Sequence, residues 1–348
     1  MAGVLVFLPA FVLLSVLAAV YLAWGDVPLI QGIFYGIKPV VVAIVVFAAW
    51  RIGSKALKNE VLWAMAALAF IAIFFFSISF PWIVLAAAIL GAIGGKIMPD
   101  KFTGSAGHGT ANKSYGAAVI DDNTPTPAHA KFSLLKFALT IAVFVVVWLL
   151  AMFSLTGQES LSTMGAFFTK AAFLTIGGAY AVLPYVYQGA VDQYGWLTGP
   201  QMMDGLALGE TTPGPLIMIV TWVGYLGAGL AGATVATFFT FLPSFMFILA
   251  GGPLVESTRD NLKYTAPLIG ITAAVVGVIL NLAVFFAWHT FWPQGTEAAP
   301  FAGSFEWFPV LIALAVFIAL WKYKVDVMKV IGGAALLGLV YTLTRTLV

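Results

Sequence analysis

Long apolar runs separated by short polar connections set the pattern of this chain from its first residues. The runs last roughly 16–24 residues, the length of a helix that crosses a bilayer. They do not alternate with a period of two, which excludes the strands of a membrane barrel. The pattern predicts helical spans at 3–24, 33–50, 61–77, 80–97, 133–154, 162–186, 205–229, 231–252, 265–288, 307–322 and 330–346. That is an all-α polytopic membrane protein with about eleven spans. The segments 162–186 and 201–229 are irregular and fit re-entrant hairpins as well as crossing helices. Residues 99–132 interrupt the pattern with Gly, Ser, Thr, Asn, Asp and Pro, and read as a flexible cytoplasmic linker between two membrane halves, 1–98 and 133–348.

Composition agrees with the pattern. The 348 residues are 62% hydrophobic and 9% charged, with a mean hydropathy of +1.03, whereas a soluble domain carries about 25% charged residues. There is no cysteine, so disulfides, thiolate-held haem and iron–sulfur clusters are excluded. His108, His129 and His289 are scattered, without a metal-spaced pair, and no cofactor or metal is expected. A metal-sensing tract in the linker is disfavoured by the distance between His108 and His129. The first residues carry no basic n-region, and the run to Trp24 is long for a signal peptide, so it reads as a retained span.

Basic residues set an orientation. Arg51, Lys55 and Lys58 share one connection; Lys96, Lys101, Lys113, Lys131 and Lys136 lie in or beside the next on that side. Arg259 and Lys263 mark a third, and Lys322, Lys324 and Lys329 a fourth. The opposite connections hold no Lys or Arg, so a cytoplasmic N-terminus puts all four basic connections inside, with Arg345 a mild exception.

Within the apolar sequence, Gly209-Glu210-Thr211-Thr212-Pro213-Gly214-Pro215 cannot continue a helix. Each proline removes a backbone donor and clashes with the preceding turn. A second helix is expected to start near Pro215, with free N–H groups and partial positive charge at its tip, which favours an anion. Discontinuous helices at bilayer depth mark the substrate sites of many transporters.

A repeat also emerges. Phe7-Leu8-Pro9-Ala10-Phe11 recurs as Phe241-Leu242-Pro243-Ser244-Phe245, an offset of 234. The same offset carries Gly36-Ile37 onto Gly270-Ile271 and Val41-Val42 onto Val275-Val276. Paired spans then run in opposite senses, the plan of an inverted-topology repeat. The second copy carries the broken-helix region and the first does not, so the first half reads as partial, by truncation or because one copy suffices.

The stretch from Thr175 to Gly229 resembles the chromate ion transporter family. The likeness is carried by Ile176-Gly177-Gly178-Ala179-Tyr180-Ala181-Val182-Leu183-Pro184, by Tyr194-Gly195-Trp196-Leu197, and by Asp204-Gly205-Leu206-Ala207-Leu208 leading into the broken-helix run. The resemblance implies a bacterial or archaeal inner-membrane transporter with two inverted halves, exporting chromate in exchange for protons and conferring chromate resistance. It implies no enzyme activity. Its partners are chromate or a sulfate-like oxyanion, protons and the lipid bilayer, with no nucleic acid; a homodimer is compatible with it.

Chromate is a tetrahedral dianion at neutral pH and above, so its site needs donors and positive potential. Thr211 and Thr212 offer hydroxyls, Pro213 and Pro215 the break, and Gly214 close backbone approach. Gly177 and Gly178 interrupt the preceding span, as a second break or as a helix contact. Tyr180 offers a donor or a packed ring. Glu210 is costly at bilayer depth unless hydrated, paired or protonated; a protonated Glu210 stops repelling the oxyanion, which makes it the proton-coupling candidate. Asp204 reads as a cap or an entrance residue near the cytoplasmic end. Lys170, in mid-span, is the better anion-attracting lysine; Lys38 adjoins Pro39, and its repeat partner is Thr272. Three rivals stand beside chromate export: sulfate or another oxyanion on the same scaffold, a truncated inactive remnant, and a lipid-phosphate enzyme. The last is opposed by the absence of an Arg/His/Ser cluster.

Overall fold

The computed structural model describes residues 2–25, 27–102, 133–175, 179–212, 214–258, 262–295, 299 and 301–346. Most of the linker at 99–132 therefore lies outside the described residues, as do Gly177, Gly178 and Pro213. Every regular element among the described residues is helical. Among the described residues seven helices are long and apolar enough to cross a bilayer, and two shorter apolar ones, α3 and α12 below, accompany them. The chain is a multi-pass membrane protein.

The first half is α1 (Ala2–Trp24), α2 (Pro28–Ala56), α3 (Glu60–Phe76), α4 (Phe80–Ile97) and the short α5 (Pro99–Phe102). Beyond residue 132 come α6 (Leu134–Ser154), α7 (Glu159–Leu174), α8 (Ala179–Tyr187) with a following π-helical turn, and α9 (Gly199–Thr211). Then α10 (Ile219–Thr258), α11 (Leu262–Phe291), α12 (Trp307–Trp321) and α13 (Val327–Thr346) complete the bundle. Local chemistry fixes several starts. Pro28 and Pro81 sit in the first turns of α2 and α4, where a missing N–H costs nothing. Asn59 caps α3 by accepting from the Leu62 N–H, and Thr198 and Gln201 form a reciprocal capping box on α9.

Two helices form the centre. In α2 the residues Val40, Val41, Val42, Ala43, Ile44 and Val45 are all buried, and α11 is buried to a similar degree. Each packs on the other and on two apolar helices from the other part of the chain: α2 on α12 and α13, α11 on α3 and α4. Glycines allow this closeness. A Cβ at Gly36 would collide with the Ala334 carbonyl and Gly338 of α13, and one at Gly270 with the Ala87 carbonyl and Gly91 of α4. Small residues at such crossings replace the hydrophobic driving force that lipid does not supply. By contrast α6 buries none of its residues.

The apolar pattern at 162–186 and 205–229 resolves into half-helices rather than crossing spans. α7 ends at Leu174, and α8 turns back beside it: Phe167 stacks on Tyr185 at 5.0 Å and fills the space over Gly189. α9 and the start of α10 form a second hairpin, held where Trp222 Nε1 donates to the Gln201 carbonyl at 3.1 Å and covers Gly205. α10 then reverses at Ala228–Gly229, where Gly229 adopts φ +61°. The returning arm is tied by a Thr221–Thr237 hydroxyl pair at 2.8 Å and by the close approach of Gly224 to Gly232. The connection at 188–198 consequently shares its end of the bundle with the α1–α2 turn, not with Arg51.

Phe7 and Phe241, the first residues of the two FLP runs, stack at 4.8 Å where α1 meets the returning arm of α10.

Candidate functional site

The two hairpins meet at their tips. Tyr180, in the first turn of α8, donates its hydroxyl to Glu210 Oε1 in the last turn of α9 at 2.5 Å. Both side chains are half-buried and line a cavity of about 600 Å³. The opposite wall is α2, which presents Ile44, Phe47 and Ala48 and, toward the mouth, Arg51 and Lys55. Arg51 and Lys55 are exposed and lie one turn apart, so they share a helix face. Thr272 of α11, Leu320 of α12 and Val327 of α13 close the ring. The mouth opens at the end of the bundle that carries Lys322 and Lys324, between α12 and α13.

The cavity has the elements an anion needs. Two cations stand at the entrance and a hydroxyl at the floor. The first turn of α8, which carries Tyr180, lies at the same floor, and the dipole at a helix N-terminus favours negative charge. An ionised Glu210 would oppose that field.

The other residues singled out in the sequence distribute as follows. Thr211 ends α9. Thr212 is buried and donates its hydroxyl to the Leu208 carbonyl at 2.8 Å. Gly214 has φ +150° and approaches Ala10 of α1, on a different side of the tip from the cavity. Pro215 precedes a single 3-10 turn, Leu216–Met218, from which α10 continues, so a helix does start there. Neither Gly214 nor Pro215 lines the cavity. Lys170 is exposed on α7, away from the cavity.

Asp204 departs from its expected place. It is buried midway along α9, where it accepts from the Tyr21 hydroxyl at 2.9 Å and faces Lys38 Nζ at 3.8 Å. The cause is the direction of α9, which enters from the α1–α2 turn and runs toward the basic end. Arg51 and Lys55 served in the sequence only as markers of topology; their spacing of four was the available signal for a shared face. The pairing of Lys38 with Asp204 left no sequence signal at all.

Re-entrant half-helices packed tip to tip inside a helical bundle, with a charged cavity at the junction, define a membrane transport protein. The profile of the family described as "Chromate transporter" matches residues 1–92 and 162–339, and the chain belongs to that family. It is 29% identical over 342 residues to a chromate transport protein of Cupriavidus metallidurans, covering 98% of this chain and 74% of that protein. It is 32% identical over 346 residues to a chromate transport protein of Pseudomonas aeruginosa, again covering 97% of this chain and 74% of the relative. A probable chromate transport protein of Synechococcus elongatus is 25% identical over 288 residues, covering 82% of this chain and 65% of the relative. No solved structure matches the chain significantly.

Proposed function

We propose that this protein carries chromate, or a tetrahedral oxyanion like it, outward across the cytoplasmic membrane, using the Tyr180–Glu210 cavity as the loading site. One observation carries the reading: the two hairpin tips meet at a hydroxyl–carboxylate contact directly beneath Arg51 and Lys55. The basic end is taken as cytoplasmic, in keeping with the excess of Lys and Arg in its connections. The dianion is drawn in by the two cations, sheds part of its water against the α8 N-terminus, and takes a hydrogen bond from Tyr180. Glu210 makes this loading depend on protonation. Ionised, it repels the dianion and holds the Tyr180 hydroxyl for itself; protonated, it releases both constraints.

Release to the other side requires the barrier between the cavity and the α1–α2 end to open. An inverted repeat would supply that movement, because it gives the bundle two packings of equal kind. The reciprocal packing of α2 on α12 and α13 and of α11 on α3 and α4 supports it. So does the offset of 234 that relates Lys38 to Thr272: the two line cavities toward opposite ends of the bundle. Sulfate has the same shape and charge as chromate and is the competing substrate on this scaffold.

The test is chromate uptake by everted membrane vesicles carrying the chain, with sulfate as competitor. Uptake above that of empty vesicles is expected, with sulfate competition ranking the two ions. Absence of uptake, with the protein verified in the membrane, would overturn the proposal.

A further inference from the structure

A second polar cavity, of about 470 Å³, lies near the α1–α2 turn. It is lined by Tyr21, Gln31, Tyr35 and Lys38 of the first two helices and by Gln201 and Asp204 of α9. Lys38 and Arg51 are about 20 Å apart along α2, at a rise of about 1.5 Å per residue, so this vestibule is distinct from the Tyr180–Glu210 cavity. The charged residues in its lining are one cation and one anion, and Glu306 stands behind the wall, accepting from the Tyr35 hydroxyl at 2.7 Å. The Lys38 side chain is 32% exposed and that of Asp204 4%, with 3.8 Å between Nζ and Oδ1. That separation is an ion pair without a hydrogen bond. Asp204 Oδ2 takes the Tyr21 hydroxyl, while the buried Oδ1 has no hydrogen-bond partner among the described residues. A buried carboxylate oxygen left unsatisfied beside a reachable ammonium is a poor structural solution. It is what a contact made to be exchanged looks like.

We infer that Lys38 is a second oxyanion-binding cation, at the exit, and that Asp204 masks it in the state seen here. The carboxylate stands where an oxyanion's oxygen would stand. While Asp204 faces Lys38, a tetrahedral dianion entering from the far side meets no net positive charge, and the vestibule does not load backwards. When the bundle rearranges to release its cargo, Lys38 must part from Asp204 before it can hold the departing ion. Tyr21 and Gln31 supply neutral donors for that moment, as in other sites where few polar groups fix a ligand's orientation. The inference rests on the proposal that the chain handles oxyanions, but it places a distinct ion at a distinct end.

The experiment is sulfate binding to the purified full chain, read by equilibrium dialysis with radiolabelled sulfate, for the wild type, Asp204→Asn and Asp204→Asn with Lys38→Gln. Removing the masking carboxylate from contact with the cation should tighten sulfate binding by about tenfold or more, as expected when a like charge is taken from an anion's site. Lys38→Gln on that background should abolish the gain. A parallel arm loads sulfate into the lumen of everted vesicles, the face this vestibule opens to. Luminal sulfate should inhibit chromate uptake by Asp204→Asn and leave the wild type and the double variant insensitive. Unchanged sulfate binding in folded Asp204→Asn would overturn the inference, and so would a gain that survives Lys38→Gln. The binding arm needs no transport, so a wild type that fails to move chromate would defeat the proposed function while Lys38 is still read separately.

Discussion

Replacing Arg51 and Lys55 together by glutamine removes both exposed cations from the wall of the Tyr180–Glu210 cavity. A cavity of about 600 Å³ is equivalent to a sphere of about 5 Å radius, and a dianion at its centre is attracted to one cation on the wall by about 1.7 kcal/mol at water's dielectric constant. Both side chains are exposed, so that dielectric is the appropriate one. Screening at physiological ionic strength, with a Debye length of about 8 Å, reduces the attraction to about 1 kcal/mol per cation. The pair then contributes about 2 kcal/mol, or about 30-fold in apparent affinity. The assay is the concentration dependence of chromate uptake into everted vesicles, with Lys58→Gln as the control. Lys58 lies just beyond α2 and does not line the cavity, so its loss should leave KM within about twofold, the size of a distant, screened charge effect. A double variant with KM within twofold of wild type, at equal membrane content, would refute the electrostatic reasoning.

Tyr180→Phe deletes the hydroxyl that Glu210 accepts. A hydrogen bond to a charged group is worth about 1.5–3 kcal/mol, so uptake should fall at least tenfold while membrane content is kept; unchanged uptake would remove Tyr180 from the site. Glu210→Gln should leave the protein in the membrane and abolish the response of chromate uptake to an imposed pH gradient; an undiminished response would remove Glu210 from the coupling. Gly36→Leu inserts a side chain where a Cβ already meets the α13 backbone. Overpacking of this kind costs about 1–3 kcal/mol, and the variant should lose thermal stability in detergent, whereas an unchanged melting temperature would contradict the close α2–α13 crossing.

How much of this was legible in the chain depends on the kind of contact. The span predicted at 80–97 coincides with α4, and 61–77 lies within one residue of α3, because capping residues and prolines bound them locally. The span at 33–50 undershoots α2, which runs from Pro28 to Ala56. Its polar ends carry Gln31, Arg51 and Lys55, which interrupt the apolar run but face cavities rather than lipid. The break between α9 and α10 was anticipated by proline chemistry, whereas Gly177, Gly178 and Pro213 themselves lie outside the described residues. The direction of the half-helices was not anticipated, since an apolar stretch that crosses and one that turns back have the same hydropathy. Tyr180 and Glu210 could be nominated one at a time, but their contact joins two hairpin tips and has no sequence period. Lys38 and Asp204 lie in different halves of the chain, and only the packing of α9 against α2 brings them together.

The absence of cysteine makes the central claim, that the oxyanion occupies the Tyr180–Glu210 cavity, directly measurable. Thr272 is half-buried in the cavity wall, and Thr272→Cys would be the only thiol in the chain. The measurement is its rate of labelling by a small maleimide in everted vesicles, with and without sulfate or molybdate, which share chromate's shape but do not oxidise thiols. The account predicts labelling slowed several-fold by either ion, at the concentrations that compete with chromate uptake, and no protection of Lys58→Cys outside the cavity. Labelling of Thr272→Cys that is indifferent to both ions at those concentrations would contradict it.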